Sequence, residues 1–385
     1  GYVSPRMKVS EVKAIPLSYH LGDGNGYGSA RGTINQRMST LVRIVSSTGA
    51  VGWGEAFGPP RTLATLIDEV LVDEVIGMNP FEVESLCEQN YTGLYHFGSS
   101  GLIQSAVSGI DVALWDLLGK EQGESVSKLL GGRNRDEVTP YASTMYITEW
   151  GEDPAVPIRE AKNEDFKAAK IKIGRNHDDD IHRVRTAREI LGPDATLMVD
   201  FNGNYRPEQA IQVARDLEEF DIYWLEEPVP PENHSGYRQI SNSIDIPLAA
   251  GEAAYARFDF EELIRDRTVD IIQPDVCKCG GISEARMIGK MATLENTKVS
   301  PHVWTGAIGI AASLQYSASL PSYPHSTNVP EPFYFEFDRA DNGLRTELLS
   351  DSFDPTGGSL EIPDQPGLGV EIDDESLERY RIDTY

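Results

Sequence analysis

Short apolar runs that each end in a charged residue recur along the middle of this chain at nearly even intervals, and few folds accommodate that arrangement. Ala168-Ala169 leads into Lys170-Ile171-Lys172, Leu197-Met198-Val199 into Asp200, Tyr223-Trp224-Leu225 into Glu226-Glu227, and Leu248-Ala249-Ala250-Gly251 into Glu252. The successive tips Lys172, Asp200, Glu226 and Glu252 lie 28, 26 and 26 residues apart. One strand, one helix and two loops need about that length. Each run reads as a buried strand with its charge at the C-terminal end, the beat of a (β/α) barrel with a site on one rim.

The same reading supplies eight barrel strands: Val138 to Tyr146, Ala168 to Ile173, Thr196 to Phe201, Ile222 to Leu225, Leu248 to Gly251, Asp270 to Pro274, Lys298 to Pro301 and Phe333 to Phe337. Before them, residues 8 to 20 alternate apolar and polar, and Ser39 to Val45 pairs with Val51 to Gly54 across Ser47-Thr48-Gly49, an antiparallel meander. From Arg61 to Leu118 the periodicity is helical, with Ile103, Val107, Ile110, Ala113 and Leu114 on one face. Gly131-Gly132 marks the break. The expected division is an α+β capping domain over residues 1–137, the barrel over 138–340, and a segment over 341–385 that returns to the cap. Between the first strands lies Gly22-Asp23-Gly24-Asn25-Gly26-Tyr27-Gly28, within a stretch from Tyr19 and His20 to Arg37. A segment so rich in glycine is either a disordered tip or a lid over the rim.

Asp, Glu and Lys rarely enter apolar strands without a partner. Three carboxylates on successive strand tips, Asp200, Glu226 and Glu252, supply hard oxygen ligands suited to Mg²⁺. Lys170 and Lys172 point to one side of their strand. Two ammonium groups so close, beside a metal, predict a depressed lysine pKa and hence a general base. Asp275 ends the sixth strand and His302 the seventh, 27 residues on. An aspartate on one imidazole nitrogen fixes the tautomer and leaves the other to take a proton. Glu336, on the eighth strand, reads either as a hydrogen-bond partner for a substrate carboxylate or as a rim salt bridge.

The 61 acidic residues outnumber the 34 basic ones, for a formal net charge of −27, which disfavours nucleic-acid or anionic-membrane binding through a basic face. No run approaches the roughly 18 apolar residues of a spanning helix, and the first residues lack the blocks of a signal peptide. A cytoplasmic protein is expected. The acid is spread widely, as in Asp178-Asp179-Asp180 and Asp373-Asp374-Glu375, which points to a high-salt cytoplasm and a halophilic source. Cys87, Cys277 and Cys279 are too few for a disulfide framework, and a lone Cys277-Lys278-Cys279 is too sparse for zinc. Gly24-Asn25-Gly26 neither follows a strand nor opens a helix, so no dinucleotide fingerprint is present.

Lys170-Ile171-Lys172, Asp200-Phe201-Asn202, Glu226-Glu227-Pro228, Gly251-Glu252, Asp275 and His302, in that order, resemble the mandelate racemase subgroup of the enolase superfamily. Gly52-Trp53-Gly54-Glu55 and the stretch Ser108 to Asp116 fit the same pattern. The resemblance implies a (β/α)7β-type modified TIM barrel with an α+β cap completed by the C-terminal tail. It implies Mg²⁺ on Asp200, Glu226 and Glu252, gripping the carboxylate of a small-molecule substrate. Lys172 and His302 would be bases on opposite faces, with His302 oriented by Asp275. Lys170 would set the charge state of Lys172, and Glu336 would donate to the enolate oxygen. Asn202, Glu227, Trp304, Tyr19 and His20 would stand behind these or meet substrate, and the chain would assemble as a homo-oligomer, dimer to octamer. Gln273-Pro274-Asp275-Val276-Cys277, Gly280-Gly281 and His302-Val303-Trp304 are most similar to lactone-opening cycloisomerases and sugar-acid dehydratases. The implied reaction is α-proton abstraction from a sugar acid or its lactone followed by β-elimination. A racemase or epimerase using 1,1-proton transfer is the alternative, and a dipeptide epimerase, kept open by Lys278, a further one.

Overall fold

A computed structural model describes residues 7–324, 328 and 330–384. The cap begins with β1 (Val9–His20), and continues through β2 (Tyr27–Ser29), β3 (Gly32–Ile34), β4 (Gln36–Ser46) and β5 (Val51–Ala56). β1, β4 and β5 form an antiparallel sheet in that order. The expected meander is present. Its inner face packs on the helix Leu102–Gln122, whose closest approach is made possible by glycine. A Cβ on Gly54 would lie 1.9 Å from the Gly109 carbonyl oxygen, and one on Gly52 2.1 Å from that of Ala113. Helix and sheet backbones therefore touch directly.

That helix corrects one expectation. It is long and apolar enough to span a membrane by length and composition, yet 89% of its apolar window is buried inside the protein. Its apolar character is accounted for by lying between the cap sheet and the barrel. Its polar residues are the joints: Asp111 accepts from the Ser283 N–H at 3.0 Å, Ser108 Oγ from the Gly280 N–H at 2.9 Å, and Asp116 from the N–H groups of Trp53 and Leu368, both at 2.8 Å.

The barrel strands are β6 (Glu137–Thr144), β8 (Ala168–Lys172), β9 (Thr196–Asp200), β10 (Ile222–Glu226), β11 (Leu248–Ala250), β12 (Ile271–Ile272), β13 (Lys298–Val299) and β14 (Tyr334–Asp338). β7 (Ile147–Thr148) sits in the loop after β6. The eight are parallel, in the order β13-β12-β11-β10-β9-β8-β6-β14. Among the described residues seven helices alternate with them, from Ala155–Asn163 to Ala307–Ser319, and give the (β/α)7β barrel. β12 and β13 are shorter than expected because Pro274 and Pro301 follow them closely and offer no N–H to a ladder. β13 and β14 share no ladder. Their seam is bridged by side chains: Ser300 Oγ donates to the Tyr334 carbonyl at 2.8 Å, and the Val303 N–H to Glu336 Oε1 at 2.9 Å.

Inside the barrel, Tyr141, Ala168, Met198, Trp224, Ala249 and Ile271 form an apolar layer. Side chains alternate faces with period two, so the next inward residues along five of these strands are Ser143, Lys170, Asp200, Glu226 and Gln273. The interior passes from grease to charge in one step. β15 (Leu360–Glu361) pairs antiparallel with the start of β6, and the C-terminal segment reaches the cap, where Arg381 bridges Leu17.

Candidate active site

Lys170, Asp200, Glu226 and Glu336 are buried in this charged layer. Lys170 Nζ lies 2.9 Å from Glu226 Oε1 and 2.8 Å from Glu336 Oε2. Burial works against its charge, but the two carboxylates outweigh it and hold the ammonium well above the usual lysine range. Lys172 Nζ donates to Asp200 Oδ2 at 2.9 Å and Asn202 Oδ1 at 3.0 Å. Burial pushes it down and Asp200 pulls it up, and the net direction is up. Among the protein's own groups, therefore, the depressed lysine expected from two adjacent ammoniums does not arise, because each has its own carboxylate. Asp200 responds in kind: burial raises it, yet Lys172 and Lys170 bring it down to about 2.

On the far side, His302 Nδ1 lies 2.7 Å from Asp275 Oδ2, and its Nε2 3.4 Å from Glu252 Oε2. Burial opposes the imidazolium, but Glu252 and Asp275 leave His302 above the ordinary histidine value. The Asp275 bond assigns the proton-bearing nitrogen as Nδ1, so Nε2 faces the carboxylates.

The structure brings oxygens of Asp200, Glu227 and Glu252 within 4.8 Å of one another. Glu226, the third carboxylate of the sequence reading, is instead held by Lys170 and by Gln273 Nε2 at 2.7 Å. Glu226 nonetheless neighbours the cluster, as the register partner of Asp200. Burial, then repulsion from Asp200, raises Glu226; burial, then Glu252 and Asp200, raises Glu227. Oε1 of Glu252 is buried without a hydrogen-bond partner among the described residues. Hard oxygen donors that repel one another, one of them lacking a donor, fit a small divalent cation.

Glu336 differs from its implied donor role. Burial favours the neutral acid, but Lys170 and His302 hold it below the ordinary range, and it accepts from Ser143 Oγ at 2.9 Å. Here it is an acceptor. Trp304 Nε1 donates to Tyr146 Oη at 3.0 Å, and the Arg37 guanidinium lies 3.7 Å over the Trp304 ring while pairing with Asp338 at 2.6 Å. Tyr19 and His20 are not brought to the carboxylates. Tyr19 donates to Asp341 at 2.9 Å and packs its ring on Tyr380, while His20 is exposed.

The glycine-rich stretch is ordered. β2 pairs with both β3 and β7, and a Cβ on Gly28 would fall 2.1 Å from the Gly32 carbonyl oxygen. Arg31 beyond it donates to the carbonyls of Asn202 at 2.5 Å and Gly203 at 3.1 Å, tying the hairpin to the loop that carries the Lys172 partner. Sequence reasoning gave no site role to Gln273, which it met only as part of a motif, nor to Tyr146, Arg37 or Asp338. Gln273 and Asp338, at the ends of strands, carried the same signal as the residues that were found.

Residues 155–376 match the family model for the enolase C-terminal domain-like fold, and residues 26–131 that for the mandelate racemase / muconate lactonizing enzyme N-terminal domain. The chain is 38% identical over 379 residues to a D-galactarolactone cycloisomerase of Agrobacterium fabrum, covering 98% of this chain and 99% of that protein. It is 32% identical over 380 residues to an arabinonate dehydratase of Saccharolobus solfataricus, covering 97% and 99%. The crystal structure of a 3,6-anhydro-D-galactonate cycloisomerase from Zobellia galactanivorans superimposes with a TM-score of 0.87 at 34% identity, covering 98% of this chain and 100% of that one. With both of its parts matched and its charged rim in place, the chain belongs to the mandelate racemase / muconate lactonizing enzyme family of the enolase superfamily and is an enzyme.

Proposed function

We propose that the protein abstracts the α-proton of a sugar acid or sugar-acid lactone and completes a β-elimination, as a dehydratase or a lactone-opening cycloisomerase. The observation that carries this reading is the row of carboxylates flanked by two proton carriers. Lys172 leans on Asp200 at one end, and His302 on Glu252 at the other. A substrate carboxylate bound over that row would present its α-carbon between a lysine and a histidine. One takes the α-proton while the other delivers a proton to the departing β-oxygen.

Asp200, Glu226 and Glu252 are the proposed Mg²⁺ ligands, with Glu227 beside them. Period-two alternation supports Glu226, since it and Asp200 are register partners that both follow inward residues of the apolar layer. When bound, the ion supplies the Lewis-acid charge that makes an α-proton removable. Lys170, held between Glu226 and Glu336, offers a fixed positive charge to the substrate carboxylate. Asp275 keeps His302 in one tautomer. The lid hairpin, fastened by Arg31, closes the rim against water.

The comparisons support sugar acids as the substrate class, since the proteins named above act by their names on such acids and lactones. A panel of aldonic and aldaric acids and their lactones, screened with Mg²⁺ for 2-keto-3-deoxy acid by semicarbazide absorbance, tests the reading. Keto acid from at least one member is expected. Inversion or α-deuterium exchange without keto acid from any member would replace it with 1,1-proton transfer.

A further inference from the structure

Lys278 stands apart from the other cations of the rim. Lys170, Lys172 and His302 each lie against a carboxylate. Lys278, three residues beyond Asp275, is fixed through its backbone N–H to the Asp275 carbonyl at 3.0 Å, while its side chain has no hydrogen bond or ion pair among the described residues. Its ammonium instead lies 5.0 Å from the Phe57 ring centroid and 5.5 Å from that of Tyr255. Phe57 comes from the cap and meets the His302 ring edge-on at 6.4 Å between centroids. Its N–H donates to the Cys277 carbonyl at 3.0 Å, so the cap fixes the aromatic partner in place. Tyr255 follows Glu252 by three residues. The cation is therefore held by rings on the His302 and Glu252 side of the rim, where its charge is felt by Glu227. Aromatic faces hold an ammonium while leaving it able to accept an anion.

We propose that Lys278 receives a carboxylate at the end of the substrate remote from the reacting α-carbon, making this an enzyme for sugar diacids and their lactones rather than for monocarboxylic aldonates. This rests on the α-proton reading above and narrows its substrate class. In a diacid the second carboxylate is present from the outset. In an aldarolactone it forms during the reaction. The α C–H bond breaks and its electron pair becomes the new C=C bond. The β C–O bond to the ring oxygen breaks, and that oxygen leaves with the bonding pair as a carboxylate, while the α-proton stays on Lys172 or His302. The resulting enol then tautomerises to the keto acid.

The test uses galactarate and galactonate, which share a carbon chain and differ at C6 as carboxylate against hydroxymethyl. Binding is measured calorimetrically in Mg²⁺ on the full chain in a Lys172→Ala, His302→Asn background that cannot turn either over. Galactarate is expected to bind about tenfold tighter, a preference that Lys278→Met removes without changing galactonate affinity and Lys278→Arg restores. With D-galactaro-1,4-lactone and the native bases, Lys278→Met lowers kcat more than it raises KM if the released carboxylate is the ligand, and raises KM if a carboxylate already present is. Survival of the preference in Lys278→Met, equal weakening of both acids, no preference with Lys278 intact, or binding of neither acid would each overturn the assignment. Deuterium exchange at the α-carbon by the native enzyme in D₂O reports on the α-proton reading separately.

Discussion

Glu226→Gln and Glu227→Gln remove neighbouring charges from one cluster, yet the structure predicts opposite effects on the metal-free protein. Glu226 is fully buried and meets Lys170 Nζ at 2.9 and 3.0 Å. A charge-assisted hydrogen bond contributes about 1.5–3 kcal/mol, and breaking a buried pair costs about 3–5 kcal/mol. Lys170 keeps Glu336 at 2.8 Å, and burial with the nearby Asp200 raises the proton affinity of Glu226 as well, so the loss should sit at the lower end, about 1.5–2 kcal/mol. Glu227 has no such partner among the described residues, and its carboxylate is among those within 4.8 Å of one another. Two like charges at that distance repel by about 3 kcal/mol at an effective dielectric constant near 20. Its proton affinity, already raised by burial and by Glu252, relieves part of this, which leaves a gain of about 1–2 kcal/mol for the amide. Thermal unfolding in EDTA should show Glu226→Gln below the native midpoint and Glu227→Gln above it. Titrated with Mg²⁺, native protein at a hundredfold excess over Kd gains about 2.7 kcal/mol. Glu226→Gln should lose nearly all of that gain, whereas Glu227→Gln should bind about tenfold more weakly. Midpoints moving in the same direction without metal, or a larger Mg²⁺ defect in Glu227→Gln, would refute the reasoning.

His302→Asn should block elimination from one α-configuration while still exchanging its α-proton with D₂O through Lys172, and Lys172→Ala should give the mirror result, read by NMR. Asp111, buried against Ser283, is pushed up to about 7 by burial, against its hydrogen bonds from Ser283. A carboxyl raised on folding contributes stability that is complete below its unfolded value of 3.8 and lost as pH rises through about 7. The stability of native protein relative to Asp111→Asn should therefore fall by about 1.4 kcal/mol per pH unit between pH 5 and 7, measured by denaturant unfolding. Gly54→Ala, whose Cβ would meet the Gly109 carbonyl oxygen at 1.9 Å, should destabilise by about 1–3 kcal/mol or more, seen as a lower unfolding midpoint.

The barrel was legible because its two signals are local. A strand buried on both sides must be apolar, and its last inward residue must be functional or paired, so Lys172, Asp200, Glu252 and Asp275 announced themselves. What was not legible depends on partners distant in sequence. The direction of the Lys172 shift depends on burial being outweighed by Asp200, its register partner on the next strand, a balance that the apolar-run pattern does not decide. Whether Glu226 or Glu227 joins Asp200 depends on Lys170 and Gln273 competing for the first of them. The glycine-rich stretch took shape because β7, more than a hundred residues away, pairs with its hairpin. Tyr19 was read as part of a lid, but Asp341 and Tyr380 from the C-terminal segment hold it elsewhere.

The seam between β13 and β14 has a consequence for how such an enzyme can change. Asp200 and Glu226 sit on a continuous hydrogen-bonded wall, where moving one strand drags its neighbours. His302 and Glu336 flank the break in that wall, joined across it by a serine hydroxyl and one carboxylate. Substitutions there act first on His302 and Glu336, on the side proposed to deliver the proton, and reach the carboxylate side only through side chains, by Lys170 between Glu336 and Glu226 and by the contact of His302 with Glu252. Under the proposed reaction, a lineage could thus exchange one outcome for another, elimination for inversion, while keeping the strands that carry Asp200 and Glu226.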